Sequence, residues 1–417
     1  MKKTFILFIS MLAGACLVFF GPASGQSRHL DDYLRAARAN SPLLKNYANE
    51  VDSNYIERLL IKASNRPQVL ANGQVAIYPV INGYGYDQAV TNGGNYSAVV
   101  AASQPLFNGK KLAPQYQQIA IQGKMLSNGH QIDVLDLEKS IISQYLIAFG
   151  DQQQWQSNKE VYQILQSQQQ ILKQLTAQGI YKQTDYLNYL TNLQSQEVSV
   201  DQLELQYKND LFLLNYLSGI EDTTEIDLAY PDIALRSNIS ADSSVFLQSY
   251  QLDSLLIINQ KALLNAQYKP SLSWFADAGW QTSMLKRSYH DFGTSFGLNF
   301  SVPIYDGKQR ALKDQQLAIA EKNRQNTSGF YHKQLDQQIA MLHQQLNGTD
   351  KLISKIDERI KTSHLLVNAN KSLLNTGDVR ITDYILALNN YLTLKSNLNQ
   401  QEINRYQVIN QLNYWQH

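Results

Sequence analysis

The sequence predicts a mostly α-helical protein with transmembrane β-structure, built as a tandem repeat. Three observations predict it. A secretory leader is followed by no second apolar run of membrane-helix length, long stretches of the chain recur at an offset of 198 residues, and each copy holds two strand-like segments ahead of a very long helical one.

Composition sets the frame. The chain has 417 residues, 44% of them hydrophobic and 17% charged, with a formal net charge of +1. Such a chain is foldable and weakly charged, which excludes a disordered polymer and gives no basic surface for nucleic acid.

The start, MKKTFILFISMLAGACLVFFGPASG, carries Lys2 and Lys3, an apolar run from Phe5 to Phe20 and the small residues Ala23-Ser24-Gly25. Residues 1–25 read as a signal peptide, cleaved after Gly25 to leave a chain starting at Gln26. Nothing later approaches the roughly 18 apolar residues of a membrane helix. The only cysteine, Cys16, lies in this leader. Leu12-Ala13-Gly14-Ala15 before Cys16 loosely resembles a lipoprotein site, with Ala13 a poor fit where Leu is usual, so lipidation stays open beside an ordinary apolar residue of the leader; if Cys16 is removed, the exported chain forms no disulfides.

The duplication carries the domain organisation. PLFNGKKLAPQYQQIAIQGKM from Pro105 aligns without a gap to PIYDGKQRALKDQQLAIAEKN from Pro303, with nine identities in 21 positions. At the same offset, QGIYKQTDYL at 178–187 matches TGDVRITDYI at 376–385, pairing Gly179 with Gly377, Thr184 with Thr382 and Asp185 with Asp383. The first repeat spans 26–218 and the second 241–417. Segment 219–240, with its charges and Pro231, reads as a linker with one small strand.

Each repeat opens with a helical segment, 30–66 in the first and about 241–269 in the second. A β-hairpin follows, at 67–106 and 270–303. In the second hairpin Leu272, Trp274, Ala276, Ala278 and Trp280, then Phe292, Phe296, Leu298 and Phe300, alternate with small and polar residues such as Ser273, Asp277, Ser295 and Asn299. The turn between them contains Lys286, Arg287 and His290. Period two over about ten residues is the length of a tilted membrane strand, and an apolar face opposite a polar one suits a barrel with a wet interior. A half-buried hairpin in a soluble sheet is the plainer alternative. The first hairpin is weaker: Val69, Val75 and Ile77 alternate with Asn72 and Gln74, but Tyr96 to Leu106 is apolar on both faces. Its connection, 81–95, reads as an outer loop.

Both hairpins end near a proline, Pro105 or Pro303, and turn through Asn108-Gly109 or Asp306-Gly307. Asn108 and Asp306 are placed to cap the helix that follows. The long helices, 110–178 and 308–376, have no proline after Pro114 and carry apolar residues at three and four spacing. At ~1.5 Å per residue, 69 residues make a rod of about 100 Å. Gly129 and Gly329 are expected to kink these rods. After Gly179 and Gly377, read as left-handed C-caps, the chain returns through helices at 184–218 and 382–416.

Four strands cannot close a barrel, and open edges are not tolerated in lipid. Closure takes at least eight strands, hence at least two chains; three chains give twelve.

The LDDYLRAARANSPLLKNY opening, P-[LI]-[FY]-[ND]-G-K at each strand-to-helix junction and G-x4-TDY at each helical turn together resemble the TolC-like outer-membrane efflux family, across essentially the whole mature chain. The resemblance implies a homotrimer with a twelve-stranded outer-membrane β-barrel, four strands per chain, continuing into a long periplasmic α-helical barrel. It implies an exit duct in the outer membrane of a Gram-negative bacterium, docked on a periplasmic adaptor and an inner-membrane pump. The adaptor-facing tip falls on Gly179, Lys182, Thr184, Asp185, Gly377, Arg380, Thr382 and Asp383, with Asp185 and Asp383 as aperture acids. Asn188 and Leu386 stand where some members carry a second acid, which puts a double acidic ring in doubt. Lys182 and Arg380 are placed to pair with the acids, and a helix-dipole role for Asp185 and Asp383 is compatible with gating.

Enzyme chemistry finds no footing. The seven histidines are scattered, with no H-E-x-x-H, no Cys/His spacing and no glycine-rich strand-to-helix loop, so no enzyme, cofactor or metal is expected. Two other functions stay open: an exit channel for type I protein secretion, and a coiled-coil or adhesin stalk, which explains the rods but not the hairpins. Cargo is not legible.

Overall fold

A computed structural model describes residues 27–222, 224–236, 244–283 and 290–417. The leader with Cys16, part of the linker, and Lys286 and Arg287 of the second hairpin lie outside the described residues. In order the elements are α1 (Leu30–Asn40), α2 (Pro42–Ser64), β1 (Gln68–Ile77), α3 (Gln88–Thr91), β2 (Gly94–Leu106), α4 (Gly109–Ala177), α5 (Gln183–Ser218), α6 (Val245–Gln267), β3 (Ser271–Thr282), β4 (Phe292–Ser301), α7 (Gln309–Thr376) and α8 (Ile381–Trp415).

Two local readings are corrected. The opening segment 30–66 is two helices, not one. Pro42 denies Ser41 the helical region, so Ser41 sits at φ −56, ψ 119, and Pro42 restarts the chain at the first position of α2. The linker forms no strand among its described residues, only an isolated bridge between Arg28 and Leu228. Gly129 and Gly329 lie inside α4 and α7, which stay helical through them.

The chain divides into two compact units. One holds β1–β4, α2, α6 and the strand-proximal parts of α4 and α7. Its antiparallel sheet has the order β1-β2-β3-β4, so β1 and β4 are edges. The register sorts every strand onto two faces. Val69 opposes Ala102, Val75 opposes Tyr96, Ala102 opposes Ala276, Trp274 opposes Leu298 and Leu272 opposes Phe300, placing these residues on one apolar face that crosses all four strands. The other face carries Gln68, Asn72, Gln74, Ser97, Ser103, Ser273, Asp277, Ser295 and Asn299. The first hairpin stays the weaker one, with apolar residues on both faces. Tyr96, Val100 and Leu106 join the apolar side, while Leu70, Val99 and Ala101 fall on the polar side.

Edge β4 leaves Phe296 88% exposed, and Val75 on edge β1 is 74% exposed. An aromatic with that exposure on a free edge is a surface awaiting cover. Below the sheet, Pro114 cannot donate to the carbonyl of Lys110, and the Lys269 ammonium approaches that carbonyl at 3.5 Å. Asn259 in turn donates to the Pro114 carbonyl at 3.0 Å.

The second unit holds α1, the linker, α5, most of α8 and the distal parts of α4 and α7. It has two cores. One surrounds Tyr33, Tyr145, Leu146, Tyr207 and Leu214, and the linker is strapped across it. Tyr145 donates to the Ala229 carbonyl at 2.6 Å, Tyr207 to the Ile226 carbonyl at 2.6 Å, and the Leu228 N–H to Gln152 Oε1 at 2.8 Å. The other core, around Leu172, Tyr189, Leu374, Ile381, Tyr384 and Leu388, lies beneath the two helical turns. No described helix is long and apolar enough to cross a membrane.

Candidate functional site

The two helical turns are built alike. In the first, Gly179 has φ 79, its N–H reaches the Thr176 carbonyl at 3.0 Å, and the Ile180 N–H reaches the Leu175 carbonyl at 3.0 Å. In the second, Gly377 has φ 83, with the Asp378 N–H on the Leu373 carbonyl at 2.9 Å. This is the Schellman arrangement, which satisfies the last carbonyls of α4 and α7 and needs a residue without a Cβ at the left-handed position. Four residues after each glycine α5 and α8 begin, with Asp185 and Asp383 in their first turns. There the unpaired N–H groups of the helix favour a carboxylate.

The acids differ in their partners. Arg380 grips Asp383 with two hydrogen bonds, Nε at 3.0 Å and Nη2 at 3.2 Å, which raises the guanidinium pKa further. Lys182 makes no ion pair with Asp185 among the described residues, so the expected pairing holds in one turn and fails in the other. Lysine is a flexible point charge without the fork that lets arginine hold a carboxylate side-on. Thr184 and Thr382 are exposed beside the acids.

The turns are joined to each other. The Tyr181 hydroxyl lies 2.9 Å from both the Leu374 and the Val379 carbonyls, and Tyr181 is buried. Ile180 packs on Gly377 so closely that a Cβ there would fall 2.6 Å from Ile180 Cγ2. Sequence reasoning missed both residues. Tyr181 stands in the repeated motif, but its counterpart is Val379, so the comparison of copies passes over the one side chain that bridges them.

The strand-to-helix junctions separate in the same way. Asp306 Oδ2 accepts from the Arg310 N–H at 2.7 Å and from the Tyr268 hydroxyl at 2.6 Å, which is a cap, with Gly307 in the left-handed region. Asn108 does not cap with its side chain. Its Nδ2 donates to Asn65 Oδ1 at 3.4 Å, and its main-chain carbonyl accepts from the N–H groups of Lys111 and Leu112 in the first turn of α4. Pro105 lies inside β2, opposite Ser273, whereas Pro303 follows the end of β4.

A further pair went unread. Asp151 of α4 faces Asp210 of α5, and burial together with that neighbouring carboxyl pushes its pKa up to about 7. Gln144 Nε2 donates to Asp210 Oδ1 at 3.1 Å, and Gln206 donates to the other oxygen.

Solved bacterial outer-membrane proteins share this architecture. The outer membrane protein VceC of Vibrio cholerae is similar over 93% of this chain and 95% of its own, with a TM-score of 0.74 at 13% sequence identity. The CmeC outer membrane channel of Campylobacter jejuni matches over 93% and 85%, with a TM-score of 0.72 at 14% identity. The open-state MtrE outer membrane channel of Neisseria gonorrhoeae matches over 93% and 88%, with a TM-score of 0.71 at 10% identity. No protein-family model matches the chain, and no curated protein does. What is common to these proteins and this one is the fold.

Proposed function

We propose that this chain is the outer-membrane exit duct of a tripartite efflux system in a Gram-negative bacterium. The observation that carries the reading is the sheet: one apolar face continuous across four strands, one polar face, and two unpaired edges, on a fold shared with outer-membrane channels. Unpaired edges are not tolerated in lipid, so copies of the chain pair β4 of one with β1 of the next. Three copies give twelve strands around a polar lumen, and the long helices extend the conduit into the periplasm. The two turns of each chain form the tip that meets a periplasmic adaptor and, through it, an inner-membrane pump. Asp185 and Asp383 line the aperture there, alongside their place in the helix dipole. The shared Schellman geometry at a spacing of 198 residues supports an origin by tandem duplication.

The test is extraction and reconstitution. Detergent-solubilised outer membranes should yield a trimer that conducts in a planar bilayer; a soluble, non-conducting rod sinks the channel reading in favour of a stalk. Crosslinkers placed at Lys182 and Arg380 should capture a periplasmic adaptor. The type I secretion alternative is separated by the partner recovered, since an adaptor of a polypeptide exporter in that position replaces the efflux assignment.

A further inference from the structure

The four strands contain a single formally charged side chain. β1, β2 and β4 hold no Asp, Glu, Lys, Arg or His, and β3 holds only Asp277. It lies mid-strand on the polar face, level with Leu70, Ala101 and Ser295. Its Oδ2 accepts a hydrogen bond from the Ser295 hydroxyl at 2.6 Å, which fixes the carboxylate on the neighbouring strand. Two residues toward the helical end, Phe275 lies over Gly297, where a Cβ would meet the ring at 2.8 Å, so the ring rests on the glycine.

We infer that Asp277 sets the ion selectivity of the barrel: three copies at one level make an anionic ring that favours cations and cationic solutes. The inference rests on the channel reading above. Its physical basis is the absence of a compensating charge within the sheet. Arg66 lies two residues before β1, about 14 Å along the strand direction and about 10 Å across two strands from the Asp277 level, by strand geometry. That separation exceeds a Debye length of about 10 Å at 0.1 M salt. Mobile cations in the lumen are left to balance the carboxylates, as they do in channels whose selectivity comes from acidic rings. This ring is distinct from Asp185 and Asp383, which belong to the other unit.

The experiment is the reversal potential of the reconstituted trimer across a KCl gradient. Asp277→Asn keeps an acceptor for Ser295 and should lower the cation-to-anion permeability ratio about threefold, the scale of three carboxylates acting through screened water. Asp277→Glu should retain the wild-type ratio, and Ser295→Lys should lower it by placing a cation beside the acid. A conducting Asp277→Asn trimer with unchanged permeability ratio overturns the inference. Should that variant fail to assemble, an unchanged ratio in Ser295→Lys overturns it instead. A wild-type protein that does not conduct at all refutes the channel reading, a separate result.

Discussion

The Tyr181 hydroxyl of the first helical turn hydrogen-bonds the Val379 carbonyl of the second at 2.9 Å, with the Leu374 carbonyl equally near. One proton shared by two acceptors, held by a buried ring, makes the two turns of a chain a single mechanical piece. Tyr181→Phe leaves both carbonyls without this donor and should cost about 1–3 kcal/mol. Hydrogen exchange of the amides at 377–380 should accelerate; unaltered protection there dismisses the clamp.

Alanine at the two turn glycines should not be equally damaging. Both positions demand a left-handed backbone, which costs a non-glycine residue about 1–2 kcal/mol. Gly377→Ala adds a collision with Ile180 that Gly179→Ala lacks, since nothing lies within 4 Å of a Cβ at 179. The drop in unfolding midpoint should therefore be larger for Gly377→Ala, and Ile180→Ala should narrow the gap.

The aperture role proposed for Asp185 and Asp383 predicts an electrical outcome. Asp185→Ala combined with Asp383→Ala should raise the conductance of reconstituted channels, and an unchanged conductance would falsify the gate role. Stability should hardly move. The Arg380 to Asp383 pair is exposed, at 81% and 40% of the side chains, where water and salt screen it.

Asp151 gives a pH dependence with a definite sign. Its folded pKa, pushed up to about 7 by burial and by Asp210, lies above that of the unfolded chain. The folded state therefore retains a proton that the unfolded state releases, and stability falls as pH rises from the ordinary carboxylate range to about 7, then levels. Asp151→Asn should remove this slope. Thermal midpoints at a fixed scan rate should show the variant gaining on the wild type between pH 5 and pH 8; a constant difference contradicts the shared-proton arrangement.

The two sheet faces should respond oppositely to charge. Phe296→Lys places an ammonium at the midplane of the apolar face, where a bilayer penalises it by about 2–4 kcal/mol, and should deplete trimers from the outer-membrane fraction. Asn299→Lys, on the polar face, should assemble normally.

What the sequence disclosed depended on whether a signal was local. Glycines at 179 and 377, the alternation from Leu272 to Trp280 and the proline-free helices are short-range patterns, and the architecture was legible from them. The Ser41-Pro42 break was also local, yet segment 30–66 was read as one helix across it. Faces of β2 became readable only through the register, because Val99, Ala101 and Pro105 are small or apolar on the polar side. Tyr181, Ile180 and the Asp151 to Asp210 pair depend on residues brought together from distant positions, which no spacing rule anticipates. Asn108 and Asp306 looked equivalent as caps, and only their neighbours, Asn65 in one case and Tyr268 in the other, separated them.

The strap that Tyr145, Tyr207 and Gln152 hold against their core is gripped by its main chain: the Ala229 and Ile226 carbonyls and the Leu228 N–H. Such a grip ignores side-chain identity and measures spacing. Segment 226–229 is thus closed to insertion or deletion, and within it Leu228, whose buried side chain fills the same core, is held by composition as well as by spacing.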